Sequence, residues 1–149
     1  MRGRVVEINI APRKHELPQP VERAAAHAGK GLEGNRYFFE EGAEAGRAIT
    51  LIEAEAIAGM AAEHGIEISA AESRRNVLTQ GIKLNELVGK RFRVGDVECV
   101  GVELCHPCTT LEGLTKPGVI KGLVNRGGLN ADIVTDGVIA VGDEVVAVD

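Results

Sequence analysis

Two cysteines three residues apart are the side chains of this sequence best suited to chemistry. Cys105 and Cys108 come at the end of a β-strand pattern, and Thr109 and Thr110 follow them before a loop rich in glycine and proline. A thiolate is a soft donor that binds thiophilic metals, and it is also a strong nucleophile. Any function of this chain that involves sulfur or a soft metal is therefore expected at this pair.

Three simpler interpretations of the pair stay open. A structural zinc site needs two more ligands, but Cys99 and four scattered histidines provide no second pair at ligand spacing. A thioredoxin-like redox site needs its first cysteine at the start of a helix in a βαβ unit, and Gly113, Pro117 and Gly118 are expected to interrupt any helix after Cys108. The third interpretation is that both cysteines are small buried hydrophobic residues.

A cationic cluster stands about thirty residues before the thiols. Arg74, Arg75 and Asn76 come at the start of an apolar run that reads as a strand, where side-chain and backbone donors can converge on an anion. Arginine also grips a phosphate with two donors at once. Adjacent arginines on a surface are usually only solvated, which is the alternative. Together with the thiols, the cluster predicts an anionic cofactor with a thiophilic centre.

Composition limits the classes of protein to consider. A chain of 149 residues with 44 % hydrophobic and 3 % aromatic residues predicts one domain whose core is built from aliphatic side chains. A net charge of −5 and few aromatic residues argue against nucleic-acid binding. No apolar run approaches membrane-spanning length, and residues 1–4 lead into a strand pattern and not into a signal peptide. Three cysteines, an odd number, predict reduced thiols and a cytoplasmic location.

Strand patterns dominate the chain. We predict a mainly β (α+β) fold, a closed or partly closed β-barrel with a few short helices. Residues 12–46 are interpreted as a long irregular segment because prolines and glycines punctuate them. Strands are predicted at 5–10, 48–52, 76–79, 91–94, 97–104, 129–134, 138–141 and 144–148, and helices or helical turns at 53–64, 84–88 and 119–124.

Several segments together resemble the MOSC domain, which is named for the C-terminal domain of molybdenum-cofactor sulfurases. The resemblance covers most of the chain. Asn35 and Tyr37 stand where family members often have Asp and His. The segments that carry the resemblance are residues 31–36, 47–52, 74–77, 84–95, 126–131 and 139–145, with the Cys-x-Pro-Cys sequence at 105–108.

The resemblance implies a MOSC-type β-barrel over residues 1–149 that binds a pterin-based molybdenum cofactor. In the family a cysteine reaches the metal or carries sulfur, and Cys108 matches it best, as catalytic residue and metal ligand. The cofactor-binding residues that the resemblance and the local pattern indicate are Arg74, Arg75, Asn76, Cys105, Thr109 and Thr110.

Three functions follow as hypotheses. The first is a protein that binds molybdenum cofactor, or that carries sulfur to metal–sulfur centres as a sulfurtransferase does. The second is a molybdenum-dependent reductase of N-hydroxylated compounds with an external electron donor, and the third is a non-catalytic domain with structural thiols. Full sulfurases carry a separate pyridoxal-phosphate desulfurase domain, for which this chain has no room. The expected partners are therefore molybdenum-cofactor or metal–sulfur proteins, with a cysteine desulfurase or a reductase, and neither nucleic acid nor membrane.

Overall fold

The computed structural model describes residues 1–148, and strands make up most of their regular secondary structure. The strands are β1 Arg2–Ile10, β2 Gln19–Val21, β3 Arg23–His27, β4 Gly31–Leu32, β5 Ile49–Glu53, β6 Val77–Gln80, β7 Arg91–Val94, β8 Val97–Leu104, β9 Leu129–Ile133, β10 Gly137–Ala140 and β11 Glu144–Ala147. The helices are α1 Ala54–His64, α2 Thr109–Leu114 and α3 Val119–Gly122, with a 3-10 helix at Leu84–Leu87.

Seven of these strands close into a barrel. Their order around it is β1, β11, β7, β8, β9, β5 and β6, and β1 closes the ring by pairing with both β6 and β11. A second sheet of β10, β3 and β4 has no strand pairing with the ring but packs its buried residues into the same core, and β2 pairs with the last residues of β1. The prediction of a mainly β fold built on a β-barrel is confirmed. Within residues 1–148, no helix has the length and apolar character needed to span a membrane.

Helix α1 makes the crossover that the barrel needs at one place. Strands β5 and β6 run parallel, so the chain must return from the end of β5 to the start of β6. The helix ends at Gly65, whose φ of 67° and N–H bond to the Ala61 carbonyl form a left-handed cap. Two of its own residues, Ala56 and Met60, are buried. The helix predicted at 53–64 is therefore confirmed to within one residue.

Aliphatic side chains fill the barrel, as the composition predicts. Phe92 is the large aromatic residue among the fully buried side chains, and Cys99 lies beside it with no exposed surface. Residues of β8 alternate between buried and half-buried as far as Gly101, and a bulge then shifts the register before Glu103. Gly101 is required because a Cβ there would collide with the Leu87 carbonyl.

Two predictions about local structure are wrong. The segment 12–46 contains β2, β3 and β4, so it is not irregular throughout. A helix also follows Cys108, because α2 begins at Thr109 and runs for six residues to Leu114. Gly113 and Pro117 stop that helix early but do not prevent its first turn. Cys108 is consequently the residue that precedes a short helix.

Candidate functional site

A cleft of about 370 Å³ opens beside the first residues of β5 and β6. Parallel pairing places Leu51 opposite Val77, so the segments that precede both strands meet at the same end of the barrel. This geometry brings together residues that are far apart in the sequence. Of the predicted site residues, those that line the cleft are Arg74, Arg75, Asn76, Cys105, Cys108 and Thr110. Thr109 is exposed and is not part of the lining.

Asn76 holds the strands beneath the cleft together. Its side-chain oxygen accepts hydrogen bonds from the Thr50 backbone N–H at 3.0 Å and from the Thr50 hydroxyl at 3.1 Å. Its side-chain nitrogen donates to the Asn9 carbonyl at 3.1 Å. One buried amide therefore joins β5, β6 and β1. A direct contact of Asn76 with a cofactor stays a prediction.

The Arg75 guanidinium is held by two hydrogen bonds, but one of its nitrogens has no partner within residues 1–148. Its Nε donates to the Gly127 carbonyl at 2.8 Å and its Nη1 to the Ser73 carbonyl at 3.2 Å. Its Nη2 is buried and has no hydrogen-bond partner within residues 1–148. A buried donor without an acceptor is costly, so this nitrogen marks a place for an acceptor atom.

Arg74 shows the same pattern with added backbone strain. Its φ is 64°, a left-handed conformation that side chains other than glycine rarely adopt. Its Nη1 donates to the Glu16 carbonyl at 2.8 Å, and its Nη2 is buried without a partner in the described chain. Burial lowers the pKa of Arg74, and the positive charges of Arg36 and Arg75 lower it further. A bound anion would offset the cost of burying the Arg74 charge and would reduce its repulsion from Arg36 and Arg75.

Two further arginines line the cleft, and the sequence analysis did not assign them to it. Arg36 and Arg47 lie over the ring of Tyr37, with their guanidinium carbons 4.4 Å and 5.2 Å from its centroid. Arg47 also donates to the Tyr37 hydroxyl at 3.2 Å. Against the four arginines, the lining contains one carboxylate, that of Glu103, among the described residues. The cleft is thus strongly cationic in a chain of net charge −5.

The two thiols of the cleft differ in exposure. Cys105 is half-buried, and its backbone N–H donates to the Gly128 carbonyl at 2.8 Å. Burial raises the pKa of the Cys105 thiol, and the nearby Arg75 offsets part of that rise. Cys108 is exposed. The first cysteine, Cys105, does not stand at the start of a helix, since α2 begins at Thr109, and this speaks against the thioredoxin-like interpretation.

Cys99 has no part in the cleft. It lies inside the barrel, where burial raises the pKa of its thiol to about 12. Within residues 1–148, no group of three or more His, Cys, Asp or Glu side chains is arranged to hold a metal ion. The interpretation of the thiols as part of a structural zinc site therefore gains no support.

Comparison with known proteins places this fold and this cleft in context. The YuaD protein from Bacillus subtilis is 18 % identical, with a TM-score of 0.83 over 97 % of this chain and 94 % of that one. YiiM from Geobacillus stearothermophilus is 18 % identical with a TM-score of 0.75, covering 99 % of this chain and 75 % of that one. YiiM from Escherichia coli is 18 % identical with a TM-score of 0.74, covering 100 % and 70 %. These likenesses show the fold.

A search of curated protein sequences gives no match. The MOSC domain family, by contrast, matches residues 8–146. That range contains the whole cleft and every strand of the barrel except the first residues of β1 and the last of β11. The chain therefore belongs to the MOSC domain family, whose members are associated with the molybdenum cofactor.

Proposed function

We propose that this chain binds the molybdenum cofactor in the cleft, with Arg74 and Arg75 holding its anionic group and Cys108 donating a thiolate to its metal. The observation that carries the proposal is a pair of arginines in the lining of the same cleft as an exposed thiol, each with a buried Nη2 that has no hydrogen-bond partner within residues 1–148. When bound, the cofactor would supply a metal centre able to exchange electrons and oxygen or sulfur atoms.

The residues present fit such a group. Two guanidinium nitrogens that lack acceptors match a phosphate, which offers several acceptor oxygens and full negative charge. The Gly127 and Ser73 carbonyls hold Arg75 in place, and the Glu16 carbonyl holds Arg74. Thr110 lines the same cleft and is a further hydroxyl for the ligand. Cofactor binding would therefore satisfy donors that the protein alone leaves without partners.

Cys108 suits the metal better than Cys105 does. The donor to a soft metal is the thiolate, and burial, which raises the pKa of the Cys105 thiol, disfavours the thiolate at that residue. Cys108 is exposed at the cleft and has no hydrogen bond that would hold it away from a ligand in the described chain. We therefore assign Cys108 to the metal and treat Cys105 as its neighbour.

The test is metal analysis of protein made in cells able to synthesise the cofactor. Wild-type protein should carry molybdenum and pterin in equal amounts, close to one per chain. Cys108→Ser should lose most of the molybdenum because a hydroxyl is a hard and poorly ionised donor, and Cys105→Ser should lose much less. Leu114→Gln, an exposed change on α2 outside the cleft lining, is the matched control and should retain both.

Wild-type protein free of molybdenum and pterin would contradict the proposal, as would full retention of molybdenum by Cys108→Ser. Equal loss from the two cysteine variants would assign the metal to a joint dithiol site.

Exposure of Cys108 favours a second candidate, a sulfur carrier that works with a cysteine desulfurase. In that function the outer sulfur of a desulfurase persulfide moves to the Cys108 thiolate, and the desulfurase thiolate leaves. Incubation with a desulfurase and free cysteine should then add the mass of one sulfur atom to wild type and none to Cys108→Ser.

Reduction of a hydroxylamine by the molybdenum-loaded protein with a reductase partner would support the N-hydroxylated-compound reductase instead.

A further inference from the structure

The pair Arg36 and Arg47 has no function in the proposal above. Both guanidinium groups lie over the ring of Tyr37, and Arg47 donates a hydrogen bond to the Tyr37 hydroxyl. Arg36 has no ion pair among residues 1–148, and Arg47 has a single exposed one, with Glu44 at 3.8 Å. Tyr37 therefore gathers two cations at the cleft and leaves their charge nearly uncompensated.

Charge balance points to a second anion. One phosphate group carries a charge of about −2, enough to balance two arginines. The lining holds four arginines and the carboxylate of Glu103, so roughly one further anionic group is needed to balance the remainder. Arg36 is also a like-charge neighbour of Arg74, whose Nη2 is buried without a partner. An anion that lies between these cations would reduce their mutual repulsion.

We propose that Arg36 and Arg47, positioned by Tyr37, form a second anion subsite, so that the cleft holds two oxyanionic groups at once. One group binds at Arg74 and Arg75, and the other at Arg36 and Arg47. The ligand class is a small molecule that carries phosphate, sulfate or carboxylate. This inference goes beyond the proposed function and does not require the molybdenum cofactor, because both subsites are built from the side chains of the chain alone.

Tyr37 acts in this site as a positioning residue and also as its reporter. It is the one tyrosine of the sequence, and the sequence has no tryptophan. Its fluorescence therefore reports directly on the two arginines that lie over its ring. Anions that bind between Arg36 and Arg47 should change this signal, whereas anions at Arg74 and Arg75 should change it much less.

Inorganic phosphate is the probe, titrated into cofactor-free protein at low ionic strength. Calorimetry should show two phosphates per chain, and tyrosine fluorescence should follow one of them. The double variant Arg36→Gln/Arg47→Gln should remove one phosphate and the fluorescence change. Arg74→Gln should weaken the other phosphate about tenfold, the loss expected for one charged hydrogen-bond donor, and should keep the fluorescence change.

Matched variants separate the positioning of the two arginines by Tyr37 from a general effect of positive charge. Tyr37→Leu should weaken the second subsite as strongly as the loss of either arginine, whereas Tyr37→Phe keeps the ring and should weaken it only a few-fold by losing the bond to Arg47. Arg93→Gln removes one exposed positive charge outside the cleft and should leave both phosphates in place. A single phosphate per chain in wild type, or equal weakening by Arg93→Gln, would overturn the inference.

A bisphosphonate with a flexible spacer then distinguishes two cases. In the first, one ligand carries both anionic groups, and in the second, a separate substrate carries the second group. If one ligand carries both groups, the bisphosphonate should bind one per chain, far more tightly than phosphate, and Arg36→Gln/Arg47→Gln should reduce it to the affinity of phosphate. If a separate substrate carries the second group, two bisphosphonates should bind per chain with the affinity of phosphate. Retention of molybdenum by Arg36→Gln/Arg47→Gln would show that the proposed cofactor site is independent of this subsite.

Discussion

The barrel interior is built from the strands and the cleft mostly from the segments that connect them, and the two regions follow opposite rules. Inside the barrel, Phe92, Leu51 and Cys99 have no exposed surface and pack against other apolar side chains. Three buried polar side-chain atoms lack a partner in the described chain. They belong to Arg74, Arg75 and Asn9, and the carbonyl of Asn9 accepts the bond from Asn76 beneath the cleft. Unsatisfied polarity is thus concentrated at one end of the barrel.

This difference separates residues that stabilise the fold from residues that reduce its stability. A buried unpaired donor, a positive φ outside glycine and crowded like charges each destabilise the folded state. The cleft combines all three at Arg74. Because the interior shows none of them, substitutions in the interior should change the free energy of unfolding, and substitutions in the cleft should change ligand binding.

The largest effect is expected in the interior. Phe92→Ala should lower the free energy of unfolding by about 3–5 kcal/mol because it removes a fully buried ring and leaves a cavity. Urea unfolding measures this loss, and phosphate binding by the folded fraction should stay unchanged. Phe92→Leu, a milder change, serves if the alanine variant does not fold. A loss of phosphate affinity in either folded variant would break the separation between interior and cleft.

Asn76 tests the boundary between the two regions. Asn76→Ala should cost about 2–4 kcal/mol, since it leaves the Thr50 N–H and the Asn9 carbonyl without partners. Asn76→Asp keeps the acceptor to Thr50 and should cost less. Thermal unfolding with and without phosphate measures both effects. If Asn76→Ala weakened phosphate binding with little loss of stability, the residue would belong to the binding surface and not to the scaffold.

The buried thiol should make stability depend on alkaline pH. The pKa of Cys99 is raised from 9.0 to about 12 in the folded protein, so the native thiol stays protonated while the unfolded thiol ionises. Stability from this group is present below the unfolded pKa and should fall by about 1.4 kcal/mol per pH unit above it. Cys99→Ala should remove that slope, which urea unfolding between about pH 8 and about pH 10.5 measures. An unchanged slope would mean that Cys99 ionises freely in the native barrel.

The smallest change in stability is expected at Arg74. Asparagine tolerates a left-handed backbone, so Arg74→Asn should relieve strain and remove an unpaired buried donor. The lost bond to the Glu16 carbonyl offsets part of this gain, and the net change should stay within about 1 kcal/mol. Phosphate affinity should nevertheless fall about tenfold. Strong destabilisation would show that Arg74 is part of the scaffold.

Local signals explain which parts of the fold could be predicted from the sequence. Gly95-Asp96 forms the turn of the β7–β8 hairpin, and Gly65 ends α1, so both elements have a turn or stop signal in their own sequence. Strand β3 carries no such signal. It is five residues long, follows two prolines, and pairs with a strand more than a hundred residues away, as Ala25 faces Val138. Pairing at that distance is decided by tertiary structure and leaves no pattern in the segment itself.

The candidate site divides in the same way. Arg74 and Arg75 are adjacent in the sequence, and their types alone suggest an anion site, which the cleft brings together with Cys108. Arg36 reaches the cleft only because its N–H donates to the Ala11 carbonyl and because Asn35 accepts from the Ala11 N–H. Those bonds hold the loop around Arg36 against Ala11, and no periodic pattern in the sequence predicts this position of the loop. The nearest signals in the sequence are the family-like segments 31–36 and 47–52, which contain Arg36 and Arg47.

Closure of the barrel by β1 and β11 has a consequence for how the protein is made. Gly3 pairs with Val145, so the contact that closes the ring joins residues almost the whole described chain apart. A growing chain on the ribosome cannot form this contact until β11 has emerged, and pairings so distant in sequence slow folding. Until then the edges of β1 and β7 that β11 covers are open to other chains. The nascent protein should therefore depend on chaperones most strongly in the period before β11 has emerged.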